Sequence, residues 1–336
     1  MLIKMPDYEI WVKEGIFNSL HQMIKTIKGN PSLFVVTDEN VYRLYESLMK
    51  DTLSSYHLDF VIIKPGESSK SIDSYLFVVK KLLEMKIKRD DLIIAFGGGV
   101  VGDLCGFVAS TLYRGIDYIQ IPTTLLAQVD SSIGSKVAID LEEGKNLIGS
   151  FYPPKGVIID PLFLKTLPEK EYVNGLAEVI KAGLIGNKRL YQHLLTENRI
   201  TETEIIDAIL VKRDVVLIDP YDHKERMYLN FGHTFGHAIE KAHQYQTYTH
   251  GEAISYGMLI ALELGIKWHK TDVNLYNEVK EVLFKLKLIK EPLIDYHSYI
   301  PFIWSDKKNT HDGLKFVVIN KPGYPEIVTI NEGDLS

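Results

Sequence analysis

Short apolar runs alternate with amphipathic stretches through the first half of the chain. Leu33–Thr37 (LFVVT), Phe60–Ile63, Leu92–Phe96 (LIIAF), Tyr118–Ile121 and Val157–Ile159 are β-branched, brief and bounded by polar residues, so each predicts a strand. Between them, Ile72–Met85 (IDSYLFVVKKLLEM) repeats its apolar residues every three or four positions and predicts a helix. Strands alternating with helices predict a largely parallel, Rossmann-like α/β sheet. After Asp160-Pro161 the β-branched runs thin out and helical periodicity takes over, at Glu171–Ile185, Thr203–Leu217, His233–Ala242, Glu252–Lys267 and Leu275–Leu286, with one late strand at Lys315–Ile319. The change of texture predicts two domains, an α/β domain over 1–160 and a mainly α-helical domain over 161–336. Neither an internal repeat nor a low-complexity tract interrupts them.

Composition narrows the functional classes. With 336 residues, 46% of them hydrophobic, the chain can bury a substantial core. A net charge of −6 without any Lys/Arg-rich block argues against nucleic acid or an anionic membrane as partner and favours a small molecule. The first residues, MLIKMPDYEIWVKEG, lack the continuous apolar run of a signal or anchor, and no stretch approaches the roughly 18 apolar residues of a membrane span. A lone Cys105 excludes an internal disulfide and a cysteine zinc ribbon, so a reducing, cytoplasmic setting is expected.

Three groups of residues carry candidate chemistry. LIIAF runs into Gly97-Gly98-Gly99-Val100-Val101-Gly102-Asp103, a G-x-G-x-x-G turn of the kind that lets backbone N–H groups approach a pyrophosphate. A tight strand-to-helix turn is the competing reading. Asp38, directly after LFVVT, is a better placed ribose acid than Asp117, which precedes its strand, so the order is not that of an ordinary Rossmann site. A second group, Arg114, Thr123, Thr124, Asp130, Ser131, Ser132, Lys136, Lys145 and Asn146, interleaves cations with hydroxyls in expected loops and suggests an anion cradle. In the helical half, Glu178 and Lys181 share a face, Lys212 and Arg226 flank an expected helix end, and Asn230, His233, His237 and His250 follow. One carboxylate with two imidazoles is the ligand set of a catalytic zinc site. Spacing alone nominates His233 and His237, four apart, to bind one ion; histidines satisfied within the core are the alternative.

Taken in order, PGESSK (65–70), GGGVVGDLCGFVAS (97–110), YRG (113–115), PTTLLAQVDSSIGSK (122–136), GKNLIGSFYPP (144–154), DPLFLKTLP (160–168), GLAEVIKAG (175–183), LNFGHTFGHAIE (229–240), HGEA (250–253) and SDKKN (305–309) resemble the 3-dehydroquinate synthase family of the sugar-phosphate cyclase superfamily. That resemblance implies an NAD- and Zn2+- or Co2+-dependent lyase, cytoplasmic and homodimeric. Its substrate would be 3-deoxy-D-arabino-heptulosonate 7-phosphate, a phosphorylated and carboxylated sugar acid. Such enzymes oxidise one hydroxyl with bound NAD, eliminate phosphate, reduce the ketone again and close a carbocycle by an aldol step.

By matched position, Glu178, His233 and His250 would bind the metal. Asp38, Pro65, Gly66, Glu67, Ser68, Ser69, Lys70, Gly99, Val100, Val101, Gly102, Asp103, Thr123, Thr124, Lys136, Lys145, Phe163, Leu164, Lys165 and Thr166 would hold NAD. Arg114, Asp130, Lys136, Asn146, Lys181, Lys212, Arg226, Asn230, His237 and one of Lys307 and Lys308 would act on the substrate, with Arg226 matched to its carboxylate. Three positions depart from the family pattern: Ser135 stands where a second glycine is usual and would tighten the loop before Lys136, while Cys105 for alanine and Pro220 for glutamate look peripheral. Two alternatives remain, a cyclase of the 2-deoxy-scyllo-inosose or valiolone type and a metal-dependent polyol dehydrogenase that exchanges NAD(H) with solution.

Overall fold

A computed structural model describes residues 1–222, 224–290, 294–305 and 313–335. The chain divides into two compact units, Met1–Leu167 and Pro168–Ser336.

The first unit is built on a seven-stranded sheet. Its strands are β1 (Leu2–Lys4), β2 (Glu9–Val12), β3 (Leu33–Asp38), β4 (Leu58–Ile63), β5 (Leu92–Gly97) and β6 (Tyr118–Pro122), joined by β9 (Gly156–Ile159) after a separate hairpin of β7 (Lys136–Leu141) and β8 (Gly144–Phe151). Spatial order is β1-β2-β9-β6-β5-β3-β4, and every neighbouring pair is parallel except β1 with β2. Both faces of the sheet are covered, which is why its central strands read as unbroken apolar runs. Phe34, Val36, Ile93 and Ala95 enter one core cluster, while Leu33, Val35, Leu92, Ile94 and Phe96 enter the other. Helices α1 (Leu20–Lys28), α2 (Glu39–Thr52), α3 (Ile72–Glu84) and α4 (Gly99–Thr111) provide the connections. α4 is buried along most of its length, and Cys105 within it is fully buried, its thiol pushed far up by loss of solvent.

Strand order reverses between β3 and β5, because β3 leads outward to β4 whereas β5 leads the other way to β6. The carboxyl ends at such a reversal are the usual ligand crevice of an open parallel sheet. Asp38 and Gly97 lie at those two ends.

The second unit is helical: α5 (Glu169–Gly186), α6 (Lys188–Thr196), α7 (Glu202–Ile218), α8 (His233–Ala242), α9 (His250–Lys267), α10 (Val273–Lys285) and α11 (Ile300–Ser305), with an antiparallel pair of β10 (Leu314–Ile319) and β11 (Pro325–Ile330). α9 is apolar almost all round and forms the centre of this unit, as a helix without a solvated face must. Capping boxes start α7, with Thr201 and Glu204, and α9, with Thr249 and Glu252. Among the described residues, no helix is long and apolar enough to cross a membrane.

The predicted strands and helices all form within a residue or two of their expected bounds. The departures are local. β1, β2 and the hairpin β7–β8 are half-exposed and lack a sustained apolar run, and β7 is further broken by an irregularity between Ile139 and Leu141. Lys136, Lys145 and Asn146 therefore lie on paired strands rather than in loops. Lys212 lies within α7 and Arg226 beyond its end, so the two flank that helix end as expected. The 3-10 turn Pro161–Lys165, capped by Asp160, belongs to the first unit.

Candidate functional site

Three helices of the second unit bring Glu178, His233 and His250 together. Glu178 lies in the buried middle of α5, and its neighbour one turn on, Lys181, is equally buried and pairs with Glu178 Oε2. His233 and His250 are the first residues of α8 and α9. Gly232 before α8 has a φ of 80°, a left-handed conformation that side chains resist. Close approach of α8 to α9 is made possible by Gly257, where a Cβ would come within 2.0 Å of the Gly232 carbonyl oxygen.

His233 Nε2 lies 3.4 Å and His250 Nε2 3.5 Å from Glu178 Oε1, and one ligand atom from each of the three residues falls within 4.8 Å of the others. Ligand atoms bonded tetrahedrally at about 2.0–2.1 Å stand roughly 3.3–3.4 Å apart, close to these separations. Among the described residues, neither carboxylate oxygen of the buried Glu178 has a hydrogen-bond partner of normal geometry, although Oε2 has its ion pair with Lys181. An acceptor left in that condition calls for a cation. The imidazoles are already turned to suit: His233 Nδ1 meets the Phe231 carbonyl at 3.2 Å, which presents Nε2 to the cluster. Residues of this kind, in this arrangement, fit a divalent metal.

The electrostatics agree. Burial pushes the Glu178 carboxyl upward, but Lys181, His233 and His250 outweigh it and hold the group well below the usual carboxylate range. Burial and then Lys181 hold His233 neutral, well below an ordinary imidazole, so its nitrogen lone pair is available. His250 is opposite: burial lowers it, yet Glu178 and Glu240 raise it to about 9.

His237 is one turn beyond His233 and exposed, with its ring 5.3 Å from that of His233 and 6.4 Å from that of His250. The cluster thus pairs His233 with His250 across two helices, not with its i, i+4 neighbour. Arg226 is buried on a 3-10 turn, Glu225–Asn230, with Asn230 exposed at the turn's end. Asp219 accepts from the Arg226 and Lys224 amides, and the Pro220 carbonyl accepts from Arg226 Nη1 at 2.5 Å. That contact is made by the Pro220 backbone carbonyl and does not depend on the proline ring. Lys307 and Lys308 lie outside the described residues.

In the first unit, β5 passes through Gly98 into α4, whose first turn has no side-chain cap. Its amides are therefore available to an anion at the positive end of a helix dipole. Thr123 is buried at the end of β6, its amide bonded to the Gly97 carbonyl, and Thr124 accepts from the Ala127 amide. Lys70 is buried and pairs with Asp103 at 2.6 Å and with the Asn146 side chain. Burial lowers it, but Asp103 and Glu67 more than restore the charge, so it is held above an ordinary lysine. Lys145 reaches Glu67 at 3.8 Å, which ties the segment Pro65–Lys70 to the hairpin. Pro65, Gly66 and Ser68 are exposed and Ser69 is buried, bonded to the Lys64 carbonyl. Asp38 caps α2 through Oδ1, bonded to the amides of Asn40 and Val41. Asp117 pairs instead with Lys28 and Lys155, at the far end of β6.

Phe163 is a core ring packed on Phe17, Tyr45 and Phe96, whereas Lys165 pairs with Glu14 and Thr166 with Tyr45. Arg114 is exposed with a φ of 64°, and Asp130 lies on a π-helical turn, Ala127–Ser131. Ser135, with a φ of 61°, occupies a left-handed position before Lys136, whose ammonium lies 5.9 Å from the Phe151 ring. Two participants escape a reading of the sequence. Asp140 receives the Asn146 amide at 2.7 Å, and the buried Glu240 lies beside His250. Asp140 gives no signal in a half-exposed hairpin, whereas Glu240 falls seven residues after His233 on the same helical stripe.

Comparison with known proteins extends the resemblance. The family profile described as 3-dehydroquinate synthase N-terminal matches residues 60–174, and the corresponding C-terminal profile matches residues 175–309. 3-Dehydroquinate synthase of Clostridium botulinum (strain Alaska E43 / Type E3) is 42% identical over 98% of this chain and 97% of its own length. That of Clostridium beijerinckii (strain ATCC 51743 / NCIMB 8052) is 43% identical over 94% and 93%. Among solved structures, 2-deoxy-scyllo-inosose synthase complexed with carbaglucose-6-phosphate, NAD+ and Co2+ aligns with a TM-score of 0.86 at 25% identity, covering 100% of this chain and 97% of that one. Two adjoining profiles and full-length relatives above 40% identity place the chain in the 3-dehydroquinate synthase family.

Proposed function

We propose that this protein converts 3-deoxy-D-arabino-heptulosonate 7-phosphate to 3-dehydroquinate and phosphate, a step of the shikimate route to aromatic amino acids. The observation that carries the reading is the buried Glu178–His233–His250 cluster, in which, among the described residues, the Glu178 oxygens lack hydrogen bonds and only Oε2 has an ion pair with Lys181. Full-length identity of 42–43% to proteins of this name, against 25% to the inosose-forming cyclase, favours this substrate over that of the neighbouring cyclases.

When bound, NAD would supply a hydride acceptor and donor, and Zn2+ or Co2+ a Lewis acid for substrate hydroxyls. Glu178, His233 and His250 would hold the metal, with Lys181 maintaining the Glu178 carboxylate in its ionised form. The amides at the start of α4 would hold the NAD pyrophosphate, and Asp38 the ribose. Lys70, Asp103 and Lys145 would shape that site through their pairing. Arg226 would bind the substrate carboxylate through its guanidinium fork. Arg114, Lys136, Asn146, Lys212, Asn230 and His237 are assigned to the remaining anionic and hydroxyl groups of the substrate, with Asp130 orienting its neighbours. Oxidation of one hydroxyl first makes chemical sense, because a ketone acidifies the adjacent C–H, and a modest base then suffices to expel phosphate. We assign the protein to the cytoplasm and to a homodimer on the same family grounds.

The test is phosphate release by the purified protein, supplied with NAD+ and Co2+, from three substrates in parallel. Turnover of the heptulosonate phosphate supports the reading. Turnover only of glucose 6-phosphate or sedoheptulose 7-phosphate assigns the protein to another cyclase type.

A further inference from the structure

His233 and His250 each present Nε2 toward Glu178, and in each the other ring nitrogen has its own partner. For His233 that partner is a backbone carbonyl two residues away, at 3.2 Å from Nδ1. For His250 it is a side chain from a different helix: Glu240 Oε1 lies 3.5 Å from Nδ1. Glu240 is 4% exposed, on a turn of α8 that also carries Ala238, Ile239, Lys241 and Ala242. A carboxylate buried to this degree is costly unless it is paired.

Placement supports a dedicated role. His233, His237 and Glu240 follow one another at i, i+4 and i+7, so one stripe of α8 carries a metal-site imidazole at its start and this carboxylate two turns on. The stripe faces the beginning of α9, where His250 is the first helical residue, fixed in place by the Thr249–Glu252 capping box. α8 thus supplies one imidazole of the cluster directly and reaches the other through Glu240.

We propose that Glu240 is a positioning residue for the metal centre: it accepts the Nδ1 proton of His250, fixes the ring and its tautomer, and so aims Nε2 at the site shared with Glu178 and His233. A carboxylate in this place also makes the imidazole a stronger donor than a carbonyl partner does. The inference rests on the reading of Glu178, His233 and His250 as a metal site, and the experiment separates the two.

Co2+ binding is measured by absorption titration against a competing chelator, for the full-length protein and for Glu240→Gln and Glu240→Ala. Loss of such a partner weakens metal binding by about 10- to 100-fold, so Ala is expected near the upper end, with Gln, which keeps an acceptor but not the charge, near the lower. The visible Co2+ bands should shift in both variants as the His250 ring loses its fixed orientation, while NAD+ affinity stays unchanged. A merely structural role would lower the melting temperature without moving the bands. Wild-type Co2+ affinity and bands in either folded variant overturn the proposal, and should Ala fail to fold, Gln alone decides. If the wild-type protein itself binds no Co2+, or if Glu178→Gln binds as well as wild type, the metal-site reading fails instead.

Discussion

In the metal-free protein, His250 carries a proton that an incoming cation has to displace. Burial disfavours that charge, but Glu178 and Glu240 raise the group to about 9, above an unfolded imidazole. The sign follows: this protonation stabilises the metal-free fold fully below the unfolded value near 6.5, and the contribution disappears as pH rises through about 9. His233, held low, works in the opposite sense and weakens the fold as pH falls below the unfolded value. Metal uptake near neutral pH should accordingly release about one proton, and affinity should climb roughly tenfold per pH unit up to about 9. Calorimetry in buffers of different ionisation enthalpy counts that proton; uptake without proton release contradicts the assignment of His250 as a ligand. The residue types of this centre were legible in the sequence and their grouping followed from the family resemblance, but spacing alone did not give it. Spacing reports only which residues share one helix face, so it nominated His237, whereas His250 arrives from the next helix after the turn 243–249.

At the scale of elements, the geometry of the centre depends on how closely α8 and α9 approach. A methyl group at Gly257 would stand 2.0 Å from the Gly232 carbonyl oxygen and 2.8 Å from the Gly236 amide nitrogen, both rigid backbone atoms. Gly257→Ala should therefore push the helices apart, costing about 1–3 kcal/mol or somewhat more as overpacking, and should weaken metal binding as well, because His233 and His250 start the two helices. Thermal melting and Co2+ titration of the variant check both effects. Unchanged values for both mean that the contact is soft. Elements with two buried faces were readable from composition alone, as β3 and β5 show, while the half-exposed β1, β2, β7 and β8 were not. β11 opens with Pro325 and alternates only weakly in burial, so its pairing with β10 becomes visible only in the fold.

For the whole molecule, the sequence pattern indicated an α/β half followed by a helical half, and the fold has both. It did not indicate the reversal of strand order between β3 and β5, which arises from long-range pairing and brings Asp38 and Gly97 to neighbouring strand ends. The central claim also belongs to the whole molecule: one chain carries out an oxidation and a reduction that cancel within each turnover. The most direct measurement follows phosphate and NADH together while the protein, with Co2+ and a catalytic amount of NAD+, consumes the heptulosonate phosphate. The account predicts many equivalents of phosphate per NAD+ with no accumulation of NADH. Phosphate release that stops after one equivalent per NAD+, or NADH that rises steadily with product, would contradict it.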